Sequence, residues 1–598
     1  MLDAYRKLMD LLDARERRRF WLLMVLLVVM GLANMLGVAS VMPFLAVLSD
    51  PGIVERNAWL SWAYGLSGSE TPLGFLLLLG VFAVIAYVGG LAFKAGATYA
   101  LLRFAQMRHA SLARKVFDGY LAQPYAWFLN RHSADLSKNV LNEVSLTVNT
   151  VLTPLLGALS NAVVVLFLVA LLIAVDPVIA LLSALVLGGG YALVFMGVRR
   201  ALAELGGGRA RADRDRYQTA QEGLGGIKEV KVLGLEDGMS RRFADPALRV
   251  AEANAMYAVI SQVPKHLLEA LAFGGMMAVV LALAVLNDGA LGGILPIAGV
   301  YALAGSRLAP ALQEVYRALA QMRFGLPALE ALHADVTSAP PAPPPPGPPL
   351  GLQTHLALDA VAYTYPSADR PALNGLSLEI PARASIGIVG GTGAGKTTAI
   401  DVLMGLLEPQ QGALVVDGRP IRTEEDRRRW RRSIGYVPQQ IFLSDDSVAA
   451  NIAFGLPKDE IDMEAVERAA RMAELHRFVT EELPDGYDTY VGDRGVRLSG
   501  GQRQRIGIAR ARYRDPDVLV FDEATSALDN VTERAVMEAV NRLGGDKTVI
   551  MIAHRLSTVE RCDEIFVLES GRVSARGTYT ELLERSEAFQ RMARGKAA

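Results

Sequence analysis

The sequence predicts two folds in one chain: an α-helical polytopic membrane domain of six transmembrane helices, then an α/β domain built around a phosphate-binding loop. Three observations carry the prediction. Of 598 residues 52% are hydrophobic and 21% charged, with mean hydropathy +0.27, which is too apolar for an average soluble protein and too long for one core. Six runs free of Asp, Glu, Lys and Arg fill the first half, and GIVGGTGAGKTTAIDVLMGL, residues 387–406, stands in the second.

The apolar runs are Phe20 to Ser49, Thr71 to Phe93, Val144 to Val175, Pro177 to Val198, Ala270 to Asn287 and Gly289 to Ser306. Each approaches or exceeds the roughly 20 residues that cross ~30 Å of hydrocarbon, and backbone amides in lipid must pair within the segment, so each predicts a helix. The expected spans are about 20–47, 72–100, 140–175, 177–204, 254–287 and 289–325, within a membrane domain of residues 1–335. The first run exceeds the roughly 7–15 apolar residues of a cleaved signal, so it is expected to stay as an anchor.

Charge sets the orientation. Arg15, Arg17, Arg18 and Arg19 precede the first span, Arg103, Arg108, Arg114 and Lys115 follow the second, and Arg199, Arg200, Arg209, Arg211, Arg214 and Arg216 follow the fourth. The alternate connections carry almost no Lys or Arg, so both termini and the second domain are expected in the cytoplasm. The outer turns at Asp176 and Asp288 read as very short. The inner segments, residues 104–143 and 199–269, have helical pattern, so the membrane helices are expected to run on into the cytoplasm.

A net charge of −1 advertises no nucleic-acid partner. Cys562 is the only cysteine, which excludes an intrachain disulfide framework. His109, His132, His333, His355 and His476 have no metal spacing. SAPPAPPPPGPPLG, within a linker expected over residues 336–351, lacks the amide donors of a helix or strand and predicts an extended polyproline segment. Beyond it, residues 352–598 alternate strand and helix patterns, with buried strands at SIGIVG, VLVFDE and VIMIAH.

Gly390, Gly395, Lys396 and Thr397 satisfy G-x-x-x-x-G-K-[ST] between a strand and a helix. Backbone N–H groups of Gly390, Gly391, Thr392, Gly393, Ala394 and Gly395 can curl around phosphate oxygens at a helix start. Lys396 can reach the outer phosphates, and Thr397, with Thr398 beside it, can bring a hydroxyl to Mg2+. Asp522, at the end of a buried strand, is set to hold the Mg2+ shell, and Glu523 is set to polarise the attacking water. Two exposed turn carboxylates are the alternative for an isolated pair, but this pair lies between LSGGQ and SALD.

With LSGGQRQRIGIARA, residues 498–511, the second half resembles the ATP-binding cassette (ABC) family, whose signature is LSGGQ. The resemblance implies an ABC ATPase, an α/β P-loop NTPase that binds ATP with Mg2+. It implies that Tyr365 stacks on adenine, Gln439 touches Mg2+, Asp529 communicates across a dimer and His554 contacts the terminal phosphate. It also implies that Ser499, Gly500, Gly501 and Gln502 clamp the nucleotide held by a second chain, so a homodimer is the expected partner. TYVGDRG, residues 489–495, resembles a loop of the exporters, and residues 222–236 and 125–136 resemble their transverse coupling segments. An ordinary solvated helix turn is the alternative for those two segments.

Over nearly its full length the chain resembles six-span exporter half-transporters. Residues 49–68 form a long first outer loop with Ile53, Trp59, Leu60, Trp62 and Tyr64 suited to the headgroup layer. In length and position this loop resembles that of the bacterial lipid-linked oligosaccharide flippases of protein N-glycosylation. The resemblance implies an ATP-driven flippase of a pyrophosphate-linked oligosaccharide lipid in the bacterial inner membrane. Lys94, Lys265 and Arg307, at or near membrane depth, are candidates for a cationic substrate cavity, with Glu314 standing where the family pattern has an arginine. Snorkelling, or pairing of Lys265 with Glu269, is the alternative. A multidrug or lipid A exporter, and an ATP-gated regulator or channel, are the other functions left open.

Overall fold

A computed structural model describes residues 2–594 except 70, 132, 176, 287–293, 342, 367, 493–494, 524–545 and 554. The chain divides into two compact units. One holds residues 1–123 and 130–342, the other residues 124–129 and 343–598.

In the first unit, α1 (Ala14–Ala39) starts at Asp13 in a capping box with Glu16. It breaks at Ser40 before α2 (Val41–Ser49), where Pro43 lacks the N–H that would meet the Ala39 carbonyl. Helix α3 (Ala58–Ser67) is capped by Asn57, whose side chain accepts from the amides of Trp59 and Leu60. Its inner face, Leu60, Ala63 and Tyr64, packs on Val47, Val54 and Phe75, whereas Trp59 and Trp62 on the other face are 80% and 64% exposed.

Helix α4 (Pro72–Leu121) opens with Thr71 as cap and Pro72 at its first position, where a missing N–H costs nothing. Its 50 residues span about 75 Å at 1.5 Å each, far more than a bilayer core requires. The third long segment carries two π-helical stretches, Asn139–Glu143 and Val148–Leu152, before α5 (Thr153–Val175). Helices α6 (Pro177–Gly225), α7 (Glu236–Leu286) and α8 (Ile294–Ser338) complete the unit, with a short helix Ile227–Leu233 between α6 and α7.

Among the described residues three helical segments are long and apolar enough to cross a membrane: Ala14–Ser49, Pro72–Leu121 and Asp135–Val175. The turns expected at Asp176 and Asp288 lie outside the described residues.

Helices in this unit approach closely where side chains are absent. A Cβ on Gly206 of α6 would lie 2.3 Å from the Phe324 carbonyl of α8, and one on Gly325 would lie 2.0 Å from Thr150 Oγ1. Two buried cations inside the unit meet carboxylates, Arg108 with Glu16 and Lys138 with Glu143 at 2.9 Å.

In the second unit a four-stranded antiparallel sheet has order β2-β1-β4-β5, from β1 (His355–Tyr363), β2 (Leu373–Pro381), β4 (Gln411–Val416) and β5 (Arg419–Pro420). A six-stranded sheet has order β10-β9-β3-β8-β7-β6. Its strands β3 (Ser385–Gly390), β6 (Ile434–Val437), β7 (Val518–Asp522), β8 (Thr548–Ile552) and β9 (Glu564–Glu569) run parallel, and β10 (Arg572–Gly577) pairs antiparallel at the edge. Both faces of β3, β7 and β8 are buried, which is why these strands read as unbroken apolar runs.

The unit's phosphate-loop helix is α9 (Lys396–Leu403), and α10 (Glu424–Arg431) follows β5. The proline-rich segment lies against α10. Arg428 donates to the Pro344 carbonyl, Arg429 to the Pro348 carbonyl at 2.9 Å, and Arg432, just past the helix, to the Gly347 carbonyl at 2.8 Å. A strap that has few amide donors of its own is thus held through its carbonyls.

Candidate functional site

The phosphate loop joins the end of β3 to the start of α9. Gly395 sits at φ +96°, and a Cβ there would lie 2.6 Å from the Ala372 carbonyl, so the turn admits only glycine. Gly391, Thr392, Gly393 and Thr397 are exposed along the loop, while Ala394, Lys396 and Thr398 are buried. The Lys396 ammonium donates to the carbonyls of Gly390 at 2.8 Å and Gly391 at 3.1 Å. Burial lowers its pKa, opposed by the charges of Glu523 and Asp522, so both carboxylates belong to its electrostatic surroundings.

Strand β7 delivers Asp522 and Glu523 to the same edge of the sheet, Asp522 in register with Ile552 of β8. Glu523 adopts φ +50°, a left-handed backbone that is uncommon for a non-glycine residue. Gln439 Nε2 donates to Glu523 Oε2 at 2.7 Å, and Tyr436 Oη donates to Asp522 Oδ2 at 3.3 Å. Two strand ends, β6 and β7, therefore bring Gln439, Asp522 and Glu523 together.

Tyr365 meets Thr398 Oγ1 through its hydroxyl at 3.1 Å and packs edge-on against Tyr363. Helix α11 (Gly500–Arg512) begins at Ser499, whose amide donates to Gln502 Oε1 while its hydroxyl accepts from the Gln502 amide, a capping box that leaves the helix start facing outward. Asp529 and His554 lie outside the described residues.

Sequence reasoning passed over two groups here. Asp401, on α9 five residues beyond Lys396, is buried, and its pKa is pushed up to about 6 by that burial and secondly by the Asp522 charge. Tyr436 is pushed up by burial and the same charge. Only the place of Asp401 on the helix that leaves the phosphate loop, five residues after Lys396, could have signalled the first.

In the membrane unit, Lys94 and Arg307 line one cavity of ≈ 120 Å³, with Asn34, Asn161, Ser306 and Glu314 among its polar lining. Lys265, the third expected cation, does not line it and lies 3.8 Å from Glu269 on its own helix. The cavity thus joins two of the three expected cations. Asn34 and Asn161 went unnoticed because uncharged carboxamides leave an apolar run looking unbroken.

The ABC transporter transmembrane region matches residues 20–292 and the ABC transporter domain matches residues 373–526. An ATP-dependent lipid A-core flippase of Ralstonia nicotianae is 33% identical over 509 residues, covering 84% of each chain. Another with that name, from Cupriavidus metallidurans, is 34% identical over 525 residues, covering 85% of this chain and 84% of its own. These relatives bear the lipid A-core name, where the outer loop had suggested kinship with the N-glycosylation flippases.

Among solved structures, a bacterial Atm1-family ABC exporter with ATP bound superimposes with TM-score 0.79 at 26% identity, covering 98% of this chain and 99% of the other. The phosphate loop, the strand-end carboxylates and the long membrane helices are the parts such a protein requires. The chain belongs to the ABC transporter family, as an exporter that joins membrane helices to an ATP-hydrolysing domain and couples hydrolysis to transport.

Proposed function

We propose that the chain is an ATP-driven flippase for a phosphorylated, sugar-bearing lipid, and that it works as a homodimer in the bacterial inner membrane with both termini and the ATPase domain in the cytoplasm. The observation that carries this reading is the cavity holding Lys94 and Arg307 together among membrane helices. Two cations at such depth are costly without an anionic partner, and a phosphate headgroup supplies one.

At the nucleotide, Lys396 and the loop amides take the phosphates, and Thr397, Gln439 and Asp522 are the groups that hold Mg2+. Glu523 orients the attacking water, with His554 and the adenine-facing Tyr365 contributing as the family resemblance implies. Ser499, Gly500, Gly501, Gln502 and Asp529 of one chain close on the ATP of the other. ATP bound between chains favours the closed state and its hydrolysis removes that preference, which drives a two-state motion in one direction.

The names of the relatives favour a lipid A-core type of cargo. A pyrophosphate-linked oligosaccharide lipid is the second reading. It is favoured by α3, whose exposed Trp59 and Trp62 suit the outer headgroup layer and which lies in the outer loop that resembles that of the N-glycosylation flippases. Reconstituted protein should flip a fluorescent phosphoglycolipid with ATP and fail with Glu523→Gln. Comparing lipid A-core with a pyrophosphate-linked oligosaccharide lipid separates the two cargoes. ATP-dependent turnover without movement of any phosphorylated lipid would overturn the reading.

A further inference from the structure

We propose that Asn34 and Tyr87 are positioning residues for substrate selection: they hold the Arg307 guanidinium with uncharged groups so that its charge is kept for the phosphate of the headgroup. The inference rests on the reading of this cavity as the headgroup site.

Asn34 lies within the apolar run of α1 and is 8% exposed, so both ends of its amide require partners. Its Nδ2 donates to the Met30 carbonyl one turn back at 3.0 Å, a bond that only the NH2 end can make. Oδ1 therefore faces away from the helix, where it accepts from Arg307 Nη1 at 3.4 Å. Tyr87, on α4, presents its ring face to the same guanidinium, whose central carbon lies 4.6 Å from the ring centroid. Three helices thus converge on one cation, and among the described residues neither contact neutralises it.

The cavity also contains a carboxylate, Glu314, two helical turns along α8 from Arg307. Left alone it would draw the guanidinium into an internal ion pair. Arg317 occupies it instead, donating to Glu314 Oε2 from Nη2 at 2.5 Å and from Nε at 3.1 Å. The carboxylate is paired through Oε2 on its own helix while Arg307 is held by a carboxamide and a π face. Only one of the five guanidinium N–H donors is used by Asn34, and Lys94 stands in the same lining.

The cavity of ≈ 120 Å³ brings Arg307 and Lys94 to one lining, where a phosphate can meet both cations.

The test uses the full-length chain in lipid nanodiscs. ATPase stimulation is measured with a lipid bearing a phosphorylated disaccharide headgroup and with its dephosphorylated counterpart, and the half-stimulating concentration is read separately from the maximal rate. Asn34→Asp keeps the shape but gives Arg307 an internal counter-ion. It is expected to raise the half-stimulating concentration of the phosphorylated lipid about tenfold and leave that of the dephosphorylated lipid unmoved. Tyr87→Leu is expected to act in the same direction, with Tyr87→Phe restoring the wild-type preference because the ring face remains.

A general packing defect would shift both lipids alike, and that result overturns the proposal. So does an unchanged preference in Asn34→Asp and Tyr87→Leu while Arg307→Ala abolishes it, which leaves the cavity as headgroup site and removes only the positioning role. If Lys94→Ala and Arg307→Ala also leave the preference intact, the headgroup site itself is lost. Should Asn34→Asp fail to fold, the Tyr87→Leu and Tyr87→Phe pair decides alone.

Discussion

Gln439 Nε2 donates to Glu523 Oε2 at 2.7 Å, joining the end of β6 to the residue after β7 across the edge where phosphate, metal and water would meet. The bond ties the carboxylate proposed to polarise water to the amide proposed to touch Mg2+. Glu523→Gln is expected to lower ATP turnover by about 10²–10⁴ while ATP affinity stays within a few-fold of wild type. Gln439→Ala, which removes this one bond and leaves the carboxylate in place, is expected to cost about tenfold. Steady-state ATPase and equilibrium nucleotide binding on the same preparations check both.

Asp401 gives the ATPase unit a pH signature. Its pKa in the fold is raised to about 6 from the ordinary 3.8, so the buried carboxyl favours the folded state most below pH 3.8 and that contribution is lost as pH rises through 6. Asp401→Asn removes the loss. Thermal melts of the nucleotide-free protein should show the variant gaining on wild type between pH 4 and pH 7.5, by an amount on the order of 1–3 kcal/mol at the upper pH.

The glycine contacts predict a different failure in the membrane unit. Gly206→Ala would drive a methyl to 2.3 Å from the Phe324 carbonyl, and Gly325→Ala would drive one to 2.0 Å from Thr150 Oγ1, where backbone or a β-branched side chain must move. Each is expected to destabilise by about 1–3 kcal/mol. Gly207→Ala, next along the same helix with open space around its Cβ position, is the control and should melt like wild type.

The proline strap makes a prediction about protease access. Arg429→Ala with Arg432→Ala removes the donors to the Pro348 and Gly347 carbonyls. Limited proteolysis should then cut the segment near residues 339–350 several-fold faster, with little change in melting temperature because the lost bonds are exposed.

How far sequence could be read depended on which physics left a local mark. Phosphate binding demands backbone geometry, so Gly390, Gly395 and Lys396 announce themselves in a single short stretch. Lipid excludes charge, so the apolar runs stand out. The extension of α4 to Leu121 and α6 to Gly225 was legible from helical pattern beyond the last apolar residue. The π-helical stretches at Asn139–Glu143 and Val148–Leu152 were not, because they answer to helix packing rather than to local propensity. Asn34 and Tyr87 were silent for a related reason: each is ordinary within its own helix and acquires meaning only when α1, α4 and α8 meet at Arg307. Lys265 was read as a cavity cation from its depth and from its place in the flippase pattern, and neither says which way a side chain turns.

The central claim is that two copies of this chain enclose ATP between the phosphate loop of one and the Ser499 helix start of the other. The direct measurement is disulfide crosslinking of Gly391→Cys with Ser499→Cys in a Cys562→Ala, Glu523→Gln background. Gly391 suits a cysteine because nothing lies within 4 Å of its Cβ position. The account predicts a crosslinked dimer that forms with ATP and not without it. A protein that binds ATP yet yields no such dimer at any nucleotide concentration would contradict it.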